Sequence, residues 1–129
     1  MILLAGLGYR DSALLSNEFV CPVSRVVMRS GDAWMYRHFT DLSWDQAGDY
    51  DAVILCGTAL KDTRCLEETE RFTWLRGARV PVLGIGAGMQ VLSLAFGGSL
   101  LSCCEIGMEE VRGFSPHPLL PPSPSFMAY

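Results

Sequence analysis

Short, uninterrupted apolar runs alternate along the chain with longer amphipathic stretches, and glycines punctuate the joints between them. Residues 2–7 form a continuous apolar run closed by Gly6-Leu7-Gly8, the pattern of a strand buried on both faces and its turn. Over residues 12–29 the apolar positions Leu14, Leu15, Phe19, Val23 and Val27 have helical spacing interrupted by Pro22. The spacing therefore predicts a helix beginning near Pro22, since proline is tolerated in a first turn. Residues 33–39 read as a second strand, followed by a polar, acidic loop to Asp49, and residues 52–56 as a third strand. Residues 63–76 read as a helix with Leu66, Phe72 and Leu75 on one face and Gly77 placed for its C-cap. Residues 80–85 predict a fourth strand and 89–96 a helix stopped by Gly97-Gly98. Residues 100–111 read as further strand, open to a hairpin. Strands alternating with helices imply an α/β fold, a parallel sheet with helices on both faces. From Ser115 the pattern ends: five prolines fall between Pro116 and Pro124, which predicts loop or extended chain.

Composition narrows this picture. A length of 129 residues suits one domain. Half of the residues are hydrophobic and 19% charged, which excludes a disordered chain. A net charge of −4 argues against nucleic acid as a partner, because phosphate binding needs a cationic surface. Residues 80–104 carry no charge, a run long enough to span a bilayer. Pro81, Gln90 and five glycines break that run, and a strand, turn, helix and second strand account for them, so no membrane span is expected. The five cysteines, Cys21, Cys56, Cys65, Cys103 and Cys104, are odd in number and irregularly spaced. No signal-like leader precedes them, and a reducing, cytoplasmic setting fits best. With no CxxC pair, no metal is expected; Cys103-Cys104 with His117 is the one weak candidate, and free cysteines are usually buried as small hydrophobes.

Ligands of open α/β sheets bind beyond the carboxyl ends of the strands, where three glycine-bearing turns fall. Gly6-Leu7-Gly8-Tyr9-Arg10-Asp11 has an acid where a dinucleotide fingerprint has its third glycine, so a structural turn is the expectation. Cys56-Gly57-Thr58-Ala59 leaves the third strand through small residues, which lets backbone N–H groups face a cleft and bind an oxyanion. Val82-Leu83-Gly84-Ile85-Gly86-Ala87-Gly88-Met89-Gln90 runs from an apolar strand through a sharp turn into a helix. That is the layout of a nucleophile elbow, in which the central residue stands at a strained backbone position beside a helix N-terminus.

This last segment resembles the elbow of the class-I glutamine amidotransferases, typically G-[IV]-C-x-G-[MH]-Q. Asp49-Tyr50-Asp51-Ala52-Val53-Ile54-Leu55 with its small-residue turn resembles the family's oxyanion strand. Ala95-Phe96-Gly97-Gly98 and Glu105-Ile106-Gly107 resemble its "LGG…EIG" stretch. The resemblance implies glutamine as ligand, a synthetase partner that receives ammonia, and no cofactor. It also implies a Cys nucleophile activated by a His that a Glu orients. Carried over by position, Ala87 and Thr58 would form the oxyanion hole, Gln90 and Gly57 would contact substrate, and Gly86 occupies the nucleophile position.

Gly86 has no side chain, so covalent catalysis there is absent rather than slow. The elbow backbone is strained for a residue with a Cβ and comfortable for glycine. Only 43 residues follow Gly86, fewer than the family needs to reach its His and Glu. His38 lies before the oxyanion strand, and His117-Pro118-Leu119 echoes the family's His-Pro-Glu with Leu119 where the acid belongs. Cys56 reads as structural. The expectation is thus a flavodoxin-like parallel α/β domain over residues 1–114, resembling the front part of an amidotransferase, incomplete and catalytically inactive, with a proline-rich tail over 115–129. The alternative is a binding or homo-oligomer assembly module on the same fold, whose unfinished apolar sheet edge is covered by a partner. Leu119, Leu120, Phe126, Met127 and Tyr129 would supply part of that interface. A small-molecule site around Thr58, Ala87 and Gln90 is a third reading.

Overall fold

The structure, a computed structural model, describes residues 1–43, 47–103, 107–112, 115–120 and 125–128. Cys104, the Glu105-Ile106 part of the "EIG" stretch, and Tyr129 lie outside the described residues. Four parallel strands, β1 (Ile2–Gly6), β2 (Trp34–His38), β3 (Ala52–Leu55) and β4 (Val82–Gly84), form one sheet in the order β2-β1-β3-β4. Because β1 is central and each of its residues points to one face or the other, its run is apolar throughout, and Leu3, Leu4 and Ala5 are fully buried.

The two faces are unequally covered. Leu3, Ala5, Val53 and Leu55 face a core with Phe39, Phe72, Trp74, Leu75 and Val91, where the Phe39 and Phe72 rings stack at 5.5 Å. Leu4 and Cys56 face a thinner cluster with Val20 and Val27. On that second face the row Tyr36–Leu4–Ile54–Leu83 crosses the sheet, and its ends, Tyr36 and Leu83, remain exposed.

The helices differ from expectation in instructive ways. The segment after β1 is helical from the start: α1 (Ala13–Leu15), a π-helical turn (Ser16–Val20) and α2 (Cys21–Arg29), with Pro22 in the first turn of α2. The helix expected over 63–76 is instead a single α-turn, α3 (Arg64–Glu67), followed by a 3₁₀ stretch (Thr69–Gly77). Cys65, Leu66, Phe72, Trp74, Leu75 and Ala78 of this segment all join the core, a broader face than the one expected. Gly77 is the last residue of that stretch, not its cap; Ala78 takes that place. The helix α4 (Ala87–Ala95) ends as expected, with Gly97 at φ +85° and its N–H on Leu94, and the Gly98 N–H on Ser93 O at 2.8 Å.

Within 100–111, only the last residues are strand. β5 (Glu109–Arg112) pairs antiparallel with β6 (Ser125–Ala128), so the proline-rich tail carries a strand. The uncharged run of 80–104 resolves into β4, the elbow and α4. Among the described residues no helix is long and apolar enough to cross a membrane, and none of the His, Cys, Asp and Glu side chains gather as a metal site.

Candidate functional site

All four strands end on one side, so the turns that follow them converge. After β4, Gly86 adopts φ +56°, ψ −116° and α4 begins at the next residue. The turn is held by the Ile85 N–H on Leu55 O at 3.0 Å, the Gly88 N–H on Ile85 O at 2.9 Å and the Met89 N–H on Gly86 O at 3.0 Å. The amide of Ala87 donates to no backbone carbonyl among the described residues, as an orphan donor in a first helical turn.

The three glycines of the elbow are required for different reasons. A Cβ on Gly84 would stand 2.6 Å from Met89 N, and one on Gly88 would stand 2.8 Å from Leu55 Cβ and closer still to the Leu55 carbonyl oxygen. Both are forced by the approach of α4 to the strands. A Cβ on Gly86 would meet nothing nearer than Gly57 Cα, at 3.8 Å. The elbow therefore has open room for a side chain at its centre, in a backbone conformation that side chains rarely adopt.

The structure brings Gly86, Ala87 and Gly57 together, with half-buried Thr58 next in chain and half-buried Gln90 on the first turn of α4. Thr58 is tied down rather than free: its hydroxyl donates to Asp62 Oδ2 at 3.0 Å, and the Asp62 N–H closes the turn on Ala59 O at 2.9 Å. Asp62 is buried and its Oδ1 has no hydrogen-bond partner. Sequence reasoning missed Asp62; it follows an exposed lysine in a polar loop, and nothing local marks it as buried.

Neither histidine hydrogen-bonds the elbow turn among the described residues. His38 ends β2, at the edge of the sheet opposite β4, three strand spacings away, or roughly 14 Å. It is buried, with Nε2 donating to Gly8 O at 2.7 Å and Nδ1 accepting the Thr40 N–H at 3.3 Å. Arg10 donates to the Thr40 hydroxyl at 2.5 Å and pairs with Asp41. His38 thus anchors the Gly8 turn, and the first glycine turn is structural in this sense. His117 is exposed in the tail, its Nδ1 accepting the Leu119 N–H at 3.2 Å.

Neither buried cysteine, Cys56 nor Cys65, is poised as a substitute nucleophile. Cys56 is fully buried at the end of β3, and burial pushes its thiol up to about 12. Burial also raises Cys65 to about 11, with the nearby Asp62 charge adding to the effect. A thiol in that state is protonated near neutral pH and inert.

The family model for class-I glutamine amidotransferases matches residues 23–117. The chain belongs to this family. No curated protein matches the sequence. The whole chain superposes on a crystal structure from Thermoplasma acidophilum, of a protein assigned as a GMP synthase subunit, with TM-score 0.72 and 19% identity. This amidotransferase chain spans 63% of the length of that protein. At such identity the likeness establishes the fold, and it agrees with the flavodoxin-like sheet expected from the sequence.

Proposed function

We propose that this class-I amidotransferase homologue lacks the family's glutaminase reaction and keeps the elbow as a binding site for a glutamine-like ligand. One observation carries the reading. The backbone at Gly86 holds the elbow conformation, with space for a side chain and none present. Attack on an amide carbonyl needs a nucleophilic atom at that point, and the buried thiol of Cys56 does not stand in for it. The donor side of the site is retained: the Ala87 amide and the Gly57-Thr58 turn flank the open position, where backbone N–H groups would receive a carbonyl oxygen. Gln90 would meet the remainder of the ligand. The partner consistent with the family is a synthetase subunit, and the free cysteines among the described residues fit a cytoplasmic setting.

A glutaminase assay tests this directly, on the chain as it stands and on Gly86→Cys. No ammonia release above background is expected from the unmodified chain, whereas glutamine titrated calorimetrically should give a saturable heat. Turnover by the unmodified chain sinks the reading. A second role, assembly with another copy or a partner, is favoured by the exposed Trp34, Met35 and Tyr36 of edge strand β2 and Leu83 and Ile85 at the β4 edge. Light scattering tests it, and a monomer at all concentrations removes its support.

A further inference from the structure

Entry into the first helical segment is irregular, and the irregularity points at the elbow. Between α1 and α2 the turn Ser16–Val20 is π-helical, a wide turn in which residues five apart stack and which recurs at functional sites. Leu15 and Val20 have that separation. Val20, Ser24 and Val27 are buried, while Leu15 and Phe19, one α-turn apart, lie over the carboxyl ends of β1 and β3. Leu15 Cδ1 stands 2.6 Å from where a Cβ on Gly8 would be, and Phe19 Cδ1 stands 3.1 Å from the same point on Gly57. Both side chains keep part of their surface exposed. Gly57 in turn lies 3.8 Å from the Cβ position of Gly86, so one glycine touches both the Phe19 ring and the open centre of the elbow.

We infer that Phe19, seated by the π-helical turn and flanked by Leu15, is a specificity-determining wall of the elbow site that limits the girth of a ligand reaching Gly86. The inference rests on the proposed reading of the elbow as a ligand site. An aromatic ring and an isobutyl group offer no hydrogen bond, so this wall faces an aliphatic stem, and the amides at Ala87 and Thr58 take the polar end. Phe19 is fixed from behind. Its Cδ1 stands 3.1 Å from the Cβ position of Gly57, so the ring lies close over the end of β3.

The test uses Gly86→Cys only as a chemical reporter, with alkylation of the introduced thiol followed by peptide mass and fold checked by thermal unfolding. The slender reagent iodoacetamide is expected to react, and N-phenylmaleimide to be retarded relative to a free thiol. Adding Phe19→Ala should accelerate the bulky reagent by about tenfold or more, the size discrimination typical of an apolar wall, and leave iodoacetamide within about twofold. Phe19→Leu should fall between, and decides the matter if Phe19→Ala does not fold. A parallel change for both reagents, no change for either, or a thiol unreactive to both in the folded protein overturns the inference. Glutamine turnover is not read in this experiment, so failure of the wall and failure of the proposed function are seen separately.

Discussion

The seating of α4 on the sheet makes a quantitative prediction about Gly88. Non-bonded carbons rest at about 3.5–4.0 Å, and a Cβ on Gly88 would stand 2.8 Å from Leu55 Cβ and nearer to its carbonyl oxygen. The obstacle includes backbone of a buried strand, which cannot rotate aside, so Gly88→Ala must lift α4 from β3. Overpacking of this kind costs about 1–3 kcal/mol. Lifting the helix also uncovers Val91 and Ala95, each methylene-sized loss of burial adding about 0.8 kcal/mol. Helix propensity returns about 1 kcal/mol for replacing glycine with alanine. The net expectation is a loss of about 2–4 kcal/mol, a large part of a typical domain stability of about 5–15 kcal/mol. Gly86→Ala meets no contact under 3.8 Å and suffers only backbone strain, about 1–3 kcal/mol. Urea unfolding followed by tryptophan fluorescence, with Trp74 buried in the core, should rank the midpoints parent, Gly86→Ala, Gly88→Ala at similar slopes. A Gly88→Ala midpoint at or above the parent would refute the packing argument, since propensity alone would then be governing.

Three further outcomes are expected. With its thiol raised to about 12 by burial, Cys56 holds about one part in ten thousand as thiolate at pH 8, so a disulfide reagent should modify it only on unfolding, and rapid native labelling would contradict its burial. His38→Leu leaves the Gly8 carbonyl and the Thr40 amide without their partner and should cost at least about 1–3 kcal/mol in denaturation; an unchanged midpoint would mean that the Gly8 turn is held otherwise. Glu68 is held below the usual carboxylate range by Arg64 and then Arg71. A lowered folded value contributes stability above that range and loses it as pH falls through it. The midpoint of Glu68→Gln should therefore lie below the parent at pH 7 and converge with it as pH falls below the usual carboxylate range, and a gap that persists in strong acid would exclude the ion pairs as its cause.

The sheet and the elbow were legible in the sequence because each rests on a local, unambiguous signal. Continuous apolar runs mark the buried strands, and Gly84-x-Gly86-x-Gly88 marks a strand-to-helix turn whose outer two glycines are too crowded for side chains. The stretch 69–77 was not legible as 3₁₀, because Leu66, Phe72 and Leu75 fit a helical face on a short window and their spacing does not separate the tighter winding from an α-helix. Pro22 misled for a related reason. It does begin α2, but the π-helical turn before it lets the chain wind continuously from Ala13, and the cue was the five-residue step from Leu15 to Val20. The pairing of β5 with β6 joins residues across a proline-rich stretch, and composition carries no information on such non-local contacts. Of the site, Gly86, Ala87 and Gly57 could be placed from the motif. Phe19, Leu15 and Asp62 owe their roles to chain segments far apart in sequence that meet only after folding.

The conformation of Gly86 also bears on how such a site changes over time. In an elbow that carries a nucleophile, the central residue holds a backbone geometry its own side chain disfavours, by about 1–3 kcal/mol. Glycine at φ +56°, ψ −116° is free of that burden, while Gly84 and Gly88 keep the turn in shape around it. A Cys→Gly exchange at such a position would remove a thiol and relieve the backbone in one step. Placing a side chain at Gly86 would weaken the protein by that amount. In stability the position is therefore one-sided, comfortable for glycine and opposed to any residue with a side chain.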